Sequence, residues 1–179
     1  MEYYQQLQNI DDATDLFLLA KERLLDVNDW QNMPPGNKHS ITLTNNKGVK
    51  QHRDARVGDM INIKSDIANI WIDICKIQYD FFPDINNESI SFLFKSGYSP
   101  SGNDTHNGQE YFETILLKRN GTIVGIDCNR GDELPGPDAT TPDENTDNHT
   151  DIHPVLNIPK AHLQQLLKNM IAVYEYTST

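Results

Sequence analysis

Four carboxylates and two histidines lie between Pro142 and Pro154, in PDENTDNHTDIHP, with Ile152 the one aliphatic side chain among them. Asp143, Asn145, Asp147 and Asp151 stand at relative positions 1, 3, 5 and 9, the alternation by which a calcium loop aims successive oxygens at one hard cation. The glycine of the sixth position is Asn148 here, which can still take the left-handed conformation. The twelfth position is Pro154, where a bidentate Glu closes a complete loop. His149 and His153 offer imidazole to zinc, but Pro154 argues against a helix that would aim both rings together. The same residues also read as a linker. Eight carboxylates between Asp127 and Asp151, spaced by Pro, Thr and Asn, make a self-repelling, solvated segment. The linker reading takes precedence: no cofactor is expected, and calcium at Asp143, Asn145, Asp147 and Asp151 is the alternative.

A second set of usable side chains lies in YSPSGNDTHNGQ, residues 98–109. It is long for a connection between neighbouring strands, and loops of that length are often functional or otherwise simply flexible. Tyr98, Asp104 and His106, together with Trp71 of a predicted strand, form a candidate ligand-binding set. Trp71, Tyr79, Phe81 and Phe82 otherwise read as core or rim packing. No phosphate loop, serine elbow or His-Glu-x-x-His occurs, and none of the six histidines stands in a motif. Cys75 and Cys128 fall in predicted strands and read as reduced, packed thiols. No catalytic residue is assigned, and the balance leans against an enzyme.

Charge narrows the partners. With 15 basic and 26 acidic residues, the formal net charge is −11. Nucleic-acid binding needs clustered Lys and Arg to displace counterions, and here they are scattered. The same charge repels anionic membrane surfaces, so the expected partner is a protein or a small molecule. The opening MEYYQQLQNIDD has neither the basic start nor the apolar run of a signal peptide, which predicts a cytoplasmic chain.

The elements that must position these residues follow from periodicity. Ala13, Leu16, Phe17, Ala20, Leu24 and Val27 form one helical stripe, predicting a helix over residues 12–27 with Asp11 or Asp12 at its cap. From His39 the period becomes two. Strands are predicted at Ile41–Leu43, after the NNKG turn, at GDMINIK, at NIWIDICKI and at SISFLF. In NIWIDICKI, strict alternation puts Ile77 on the face of Trp71, Asp73 and Cys75. In YFETILLKRNGTIVGIDCNR, Asn120-Gly121 predicts a two-residue type I′ hairpin with Arg119 facing Thr122, Leu117 opposite Val124 and Ile115 opposite Ile126. Residues 131–157 then form a polar, Pro-rich loop. Pro159 opens a last helix, to about residue 175, with a stripe from Leu163 to Tyr174.

GDMINIK, WIDICKI and ILLKRNGTIVGIDCNRGDELP together resemble a family of small bacterial proteins. In it a Gly-Asp opens an alternating strand, a Trp-Val or Trp-Ile begins the next, and a late hairpin leads into Gly-Arg-Asn-Glu-x-Pro-Asn. Gly58, Asp59, Trp71, Ile72, Arg130, Glu133 and Pro135 are the corresponding positions. The family's Gly/Pro-rich insert before the Trp is missing, and its late motif reads NRGDELPGP here. The resemblance implies no activity.

One-sided alternation in the strands and two terminal helices predict a single α+β domain. Its antiparallel, partly curled sheet of about seven strands, a half-open barrel or sandwich, is covered by the N-terminal and C-terminal helices. The function expected of it is non-catalytic binding or interaction. The alternative is an enzyme or small-ligand carrier with a pocket inside the curled sheet, lined by residues 98–109.

Overall fold

Among the described residues, seven strands and two helices follow one another as β1 (Glu2–Gln6), α1 (Ile10–Leu25), β2 (Ser40–Thr44), β3 (Met60–Lys64), β4 (Asn69–Phe82), β5 (Asn87–Ser96), β6 (Phe112–Asn120), β7 (Ile123–Arg130) and α2 (Lys160–Met170). Short 3₁₀ turns follow α1, at Val27–Asn32, and β4, at Pro83–Ile85. The structure, a computed structural model, describes residues 1–34, 36, 38–102, 110–130, 155 and 158–173. All strand pairs are antiparallel, in the order β1-β7-β6-β5-β4-β3-β2. This is the expected α+β half-barrel with helical cover.

Strands β2 to β7 are a meander, each paired with the next, and β1 joins the far side of β7. The chain therefore has to travel from one side of the sheet to the other between β1 and β2. Helix α1 makes that crossing over the concave face, burying Ala13, Leu16, Phe17, Ala20 and Leu24. Asn9 caps it, its Oδ1 accepting the Asp12 amide at 2.8 Å, so the helix begins two residues earlier than the apolar stripe suggests. Helix α2 buries Leu163, Leu166, Leu167 and Met170. The Arg23 guanidinium of α1 donates from Nη1 to the carbonyls of Asn169, Met170 and Ala172 at 3.2, 3.1 and 2.8 Å. One helix thus supplies the cation that the last carbonyls of the other require. Between helices and sheet, Trp30 meets Phe94 edge-on at 6.3 Å and Phe92 stacks on Phe94 at 5.6 Å. Side chains fill the hollow of the sheet.

Five local readings change. Strand β1 was not expected. Its EYYQQ carries no aliphatic alternation, yet Tyr4 lies on Gly125, where a Cβ would come within 2.7 Å of the ring. The segment after NNKG is no strand, only a bridge between Thr44 and Lys50, so β1 takes its place in the count of seven. The late hairpin turns at Gly121-Thr122, not Asn120-Gly121. Only Gly121 is left-handed (φ 61°), the glycine-first pattern that lets Asn120 stay in the strand. Leu117 then faces Ile126 and Ile115 faces Cys128, a shift of two that leaves every side chain on its expected face. Helix α2 ends at Met170, and Tyr174 lies outside the described residues.

The fifth change is in β4. Ile74 pairs with Phe94 and Lys76 with Leu93, so Cys75 is an extra residue with no opposite number, a β-bulge. Beyond it Ile77, Tyr79 and Phe81 stand opposite Phe92, Ile90 and Glu88, on the concave face with Ile72 and Ile74. Ile77 therefore does not share a face with Trp71 and Asp73. Cys75 is exposed, contrary to the packed thiol expected of it, while Cys128 is buried.

Candidate functional site

Strand β4 has 14 residues and its neighbour β3 only five. Met60–Lys64 cover Asn69–Asp73, and one further step is made where the Ile74 amide donates to the Asp59 carbonyl and the Gly58 amide to the Ile74 carbonyl, both at 3.0 Å. The cover ends there for a reason. Arg53 holds the Asp59 carboxylate in a two-pronged ion pair, at 2.7 and 3.0 Å, and the Arg56 amide donates to it at 2.9 Å, turning the chain away. Burial pushes the Asp59 carboxyl up, but these bonds and the charges of Arg53 and Arg56 outweigh it and hold the group below the ordinary carboxylate value. From Lys76 to Phe82, β4 pairs with β5 on one side, and no described strand lies on the other.

Within a strand of L-residues, side chains on one face go with main-chain groups on one edge. The main-chain groups of Ile74 point to Gly58 and Asp59. Ile77, Tyr79 and Phe81 share its face, so their N–H and C=O groups point to that same side, where β3 no longer runs. Around them Tyr79 is 48%, Phe81 53%, Phe82 56% and Ile85 62% exposed. This is an open sheet edge set among large apolar side chains.

Beneath the edge lies an ion pair. Arg119 Nε donates to Glu88 Oε1 at 2.8 Å, with both side chains 4% exposed. Arg119 Nη1 also donates to the carbonyls of Asn86 and Gly121, both at 3.1 Å, tying the β4–β5 turn to the β6–β7 turn. The Tyr79 hydroxyl donates to Glu88 Oε2 at 3.1 Å. Burial, then the Glu88 hydrogen bond and charge, push the Tyr79 hydroxyl up, so it stays a donor. The Lys21 ammonium stands 5.0 Å from the Tyr79 ring centre. Glu88 and Arg119 satisfy each other and hold Tyr79 by its tip while half its surface faces solvent. The arrangement can fix an aromatic anchor, and it offers no nucleophile or exposed base.

The residues expected from sequence lie elsewhere. Trp71 is half-buried, and its ring and Pro100 both close over Gly48, where a Cβ would lie 3.6 and 3.1 Å from them. The structure thus brings Trp71 together with the start of the 98–109 loop. Tyr98 is exposed, and Asp104 and His106 lie outside the described residues. So do Asp143, Asn145, Asp147 and Asp151, and nearly all of residues 131–157. Among the described residues no group of three His, Cys, Asp or Glu could hold a metal ion. An open groove of about 280 Å³ runs beside α1, lined by Leu7, Asp12, Asp15, Leu16, Leu19 and Val173, and so is not inside the curled sheet. No described helix is long and apolar enough to cross a membrane.

Tyr79, Phe81 and Phe82, expected as core or rim packing, lie at the rim, each about half exposed. A 14-residue strand after a five-residue one leaves an overhang in any meander, and the break of alternation between Ile74 and Ile77 marks where it starts. No family model, curated protein or solved structure matches the chain. Fold and site alone define the class, an antiparallel half-barrel with one overhanging strand.

Proposed function

We propose that the protein is a non-catalytic interaction domain that binds an extended segment of a partner by adding it to the open edge of β4. One observation carries this reading: the main-chain groups of Ile77, Tyr79 and Phe81 point where no described strand pairs with them. Strand addition takes its affinity from such main-chain bonds and its specificity from the side chains beside them. Tyr79, anchored through Glu88 to Arg119, supplies a rigid aromatic, and Phe81, Phe82 and Ile85 supply apolar area. The filled interior of the sheet supports binding at the surface over a pocket within it.

The test is selection of extended peptides on the full chain, repeated with Phe81→Pro. Proline there removes one outward N–H and no bond of the β4–β5 ladder. Binding should weaken by about 1–3 kcal/mol, roughly fivefold to 150-fold, because a partner carbonyl loses its donor. Selected peptides that bind Phe81→Pro as well as the parent chain would show that the edge is not the binding surface.

A further inference from the structure

Resting on that reading, the geometry points to a particular occupant for the edge: the same segment of a second copy of this chain, running antiparallel about a two-fold axis at Tyr79. Hydrogen-bond phase narrows the registers, since only Ile77, Tyr79 and Phe81 present outward groups. A symmetric antiparallel partner must set these against one another. An axis at Tyr79 does so three times, placing Ile77 opposite Phe81 of the second copy, Tyr79 opposite Tyr79, and Phe81 opposite Ile77. Each such pair exchanges two main-chain bonds, about six in all.

The neighbouring registers fail on what surrounds the edge. An axis at Gln78 would set Phe82 opposite Ile74, whose outer side Gly58 and Asp59 already occupy. An axis at Asp80 would oppose two Asp80 carboxylates. With the axis at Tyr79, the seven residues from Lys76 to Phe82 pair with their own counterparts and end where β3 begins its cover on each side.

Side chains agree on both faces. On the concave face Ile77, Tyr79 and Phe81 form a continuous apolar and aromatic ladder with their counterparts. On the other face Gln78 stands opposite Asp80 of the second copy, a donor against an acceptor. The two groups already bond within one chain, Gln78 Nε2 donating to Asp80 Oδ2 at 2.9 Å. Lys76 faces Phe82 of the second copy, within cation–π reach, and lies diagonal to its Asp80. The excess acidity of the chain is not concentrated here: Lys21 and Lys76 balance Asp80 and Asp84 around the edge. A strongly basic partner segment would find little to attract it.

Sedimentation of the full chain from ~1 µM to ~0.5 mM tests this, with dimer expected to accumulate across that range. Phe81→Pro should raise the dimer dissociation constant at least about tenfold. Register is read by disulfide trapping in a Cys75→Ser background. A mixture of Gln78→Cys and Asp80→Cys chains should cross-link about tenfold faster than either alone, because only the mixture brings the two thiols opposite each other. A monomer at every concentration, a dimer indifferent to Phe81→Pro, or equal cross-linking of mixed and single chains overturns the proposal. If the chain stays monomeric while selected peptides still depend on Phe81, the self-pairing fails and the binding reading stands. If neither depends on Phe81, both fail.

Discussion

Among the described residues no strand pairs with the outer side of β2 or with the overhang of β4, and the chain treats the two differently. At β2 the outward amide of Ile41 donates to Gln31 Oε1 at 3.1 Å, that of Leu43 donates to Asn28 Oδ1 at 2.9 Å, and the Leu43 carbonyl accepts the Gln51 amide at 2.9 Å. Asn28 Nδ2 then donates to the Gln51 carbonyl at 2.7 Å, joining the two halves of the seal. Side-chain amides from the 3₁₀ turn after α1 and a strip of backbone thus satisfy the edge as a neighbouring strand would. At β4 the outward groups of Ile77, Tyr79 and Phe81 have no such cover among the described residues, and the side chains around them are large and apolar. Natural sheets guard their edges because an unpaired row of N–H and C=O groups recruits other strands. One edge is sealed by three side-chain and backbone bonds, while the other has none among the described residues and stands beside four exposed apolar side chains, a contrast that supports the proposed strand addition at the second. The outer side of β1 is a weaker contender. It is five residues long, carries Glu2 and Gln6, and its one exposed aromatic, Tyr4, already has the Lys118 ammonium 5.9 Å from its ring.

The largest effect should come from removing what holds the open edge rigid. Arg119→Ala leaves Glu88 buried without its cation and frees the carbonyls of Asn86 and Gly121. Breaking one side of such a pair costs about 3–5 kcal/mol, which in a domain of this size lowers Tm by roughly 6–20 °C. Replacing both partners, Glu88→Leu with Arg119→Met, should recover most of that loss, since the desolvation of two charges disappears with their attraction. Recovered stability with lost binding would identify the pair as the support of Tyr79. A single variant that melts like the parent would mean the pair is not structural.

A smaller effect should follow from unsealing the β2 edge. Asn28→Ala strips the acceptor from the Leu43 amide and the donor from the Gln51 carbonyl. Unmet bonds in a part-buried site cost about 1–3 kcal/mol, or roughly 2–12 °C in Tm. The variant should also gain a concentration-dependent association that Phe81→Pro does not suppress, because the new edge lies at the other side of β3. Sedimentation of the Asn28→Ala, Phe81→Pro double variant checks this, and a strictly monomeric double variant would show that the β2 seal is not needed.

What could be read from the chain divides along the same lines. Faces were legible because burial imposes a period. The stripe of α1 and the alternation of Ile115, Leu117, Val124 and Ile126 predicted which side chains turn inward, and a hairpin register two residues off did not disturb them. Pairing was less legible. Strand β1 is held by main-chain bonds and by Tyr4 lying on Gly125, a contact between residues 121 positions apart that no local pattern records. The β4 bulge reverses the alternation at one residue, so Ile77 read as an outward side chain when it points in. The candidate site depends on both lessons. Its aromatics, Tyr79, Phe81 and Phe82, resemble core residues by type, and what exposes them is the shortness of β3, a fact about the neighbour and not about the strand itself.

The border between covered and open β4 is set by Asp59, and pH should move it. The folded carboxyl of Asp59 lies below its ordinary value, about 4, because the Arg53 fork and the Arg56 amide favour the charged form over the cost of burial. A depressed carboxylate contributes stability that is fully present above the unfolded value and is lost as pH falls through the folded one. Between about pH 4 and the folded value the protein therefore starts to lose the clamp that seats Gly58 and Asp59 on Ile74, and the open edge lengthens by one bonded pair. Asp73, just before the bulge, pulls the other way: burial raises its carboxyl against the charge of Lys95, so its own contribution improves on acidification. The two are separated by reading the Ile74 and Gly58 amides alone. Their hydrogen exchange, corrected for intrinsic rate, should accelerate as the pH drops below about 4 in the parent chain. In Asp59→Asn, which cannot carry the charge, the same two amides should exchange fast at neutral pH and show no further acceleration in acid. Equal protection of the two amides in both chains across that range would place the border elsewhere than at Asp59.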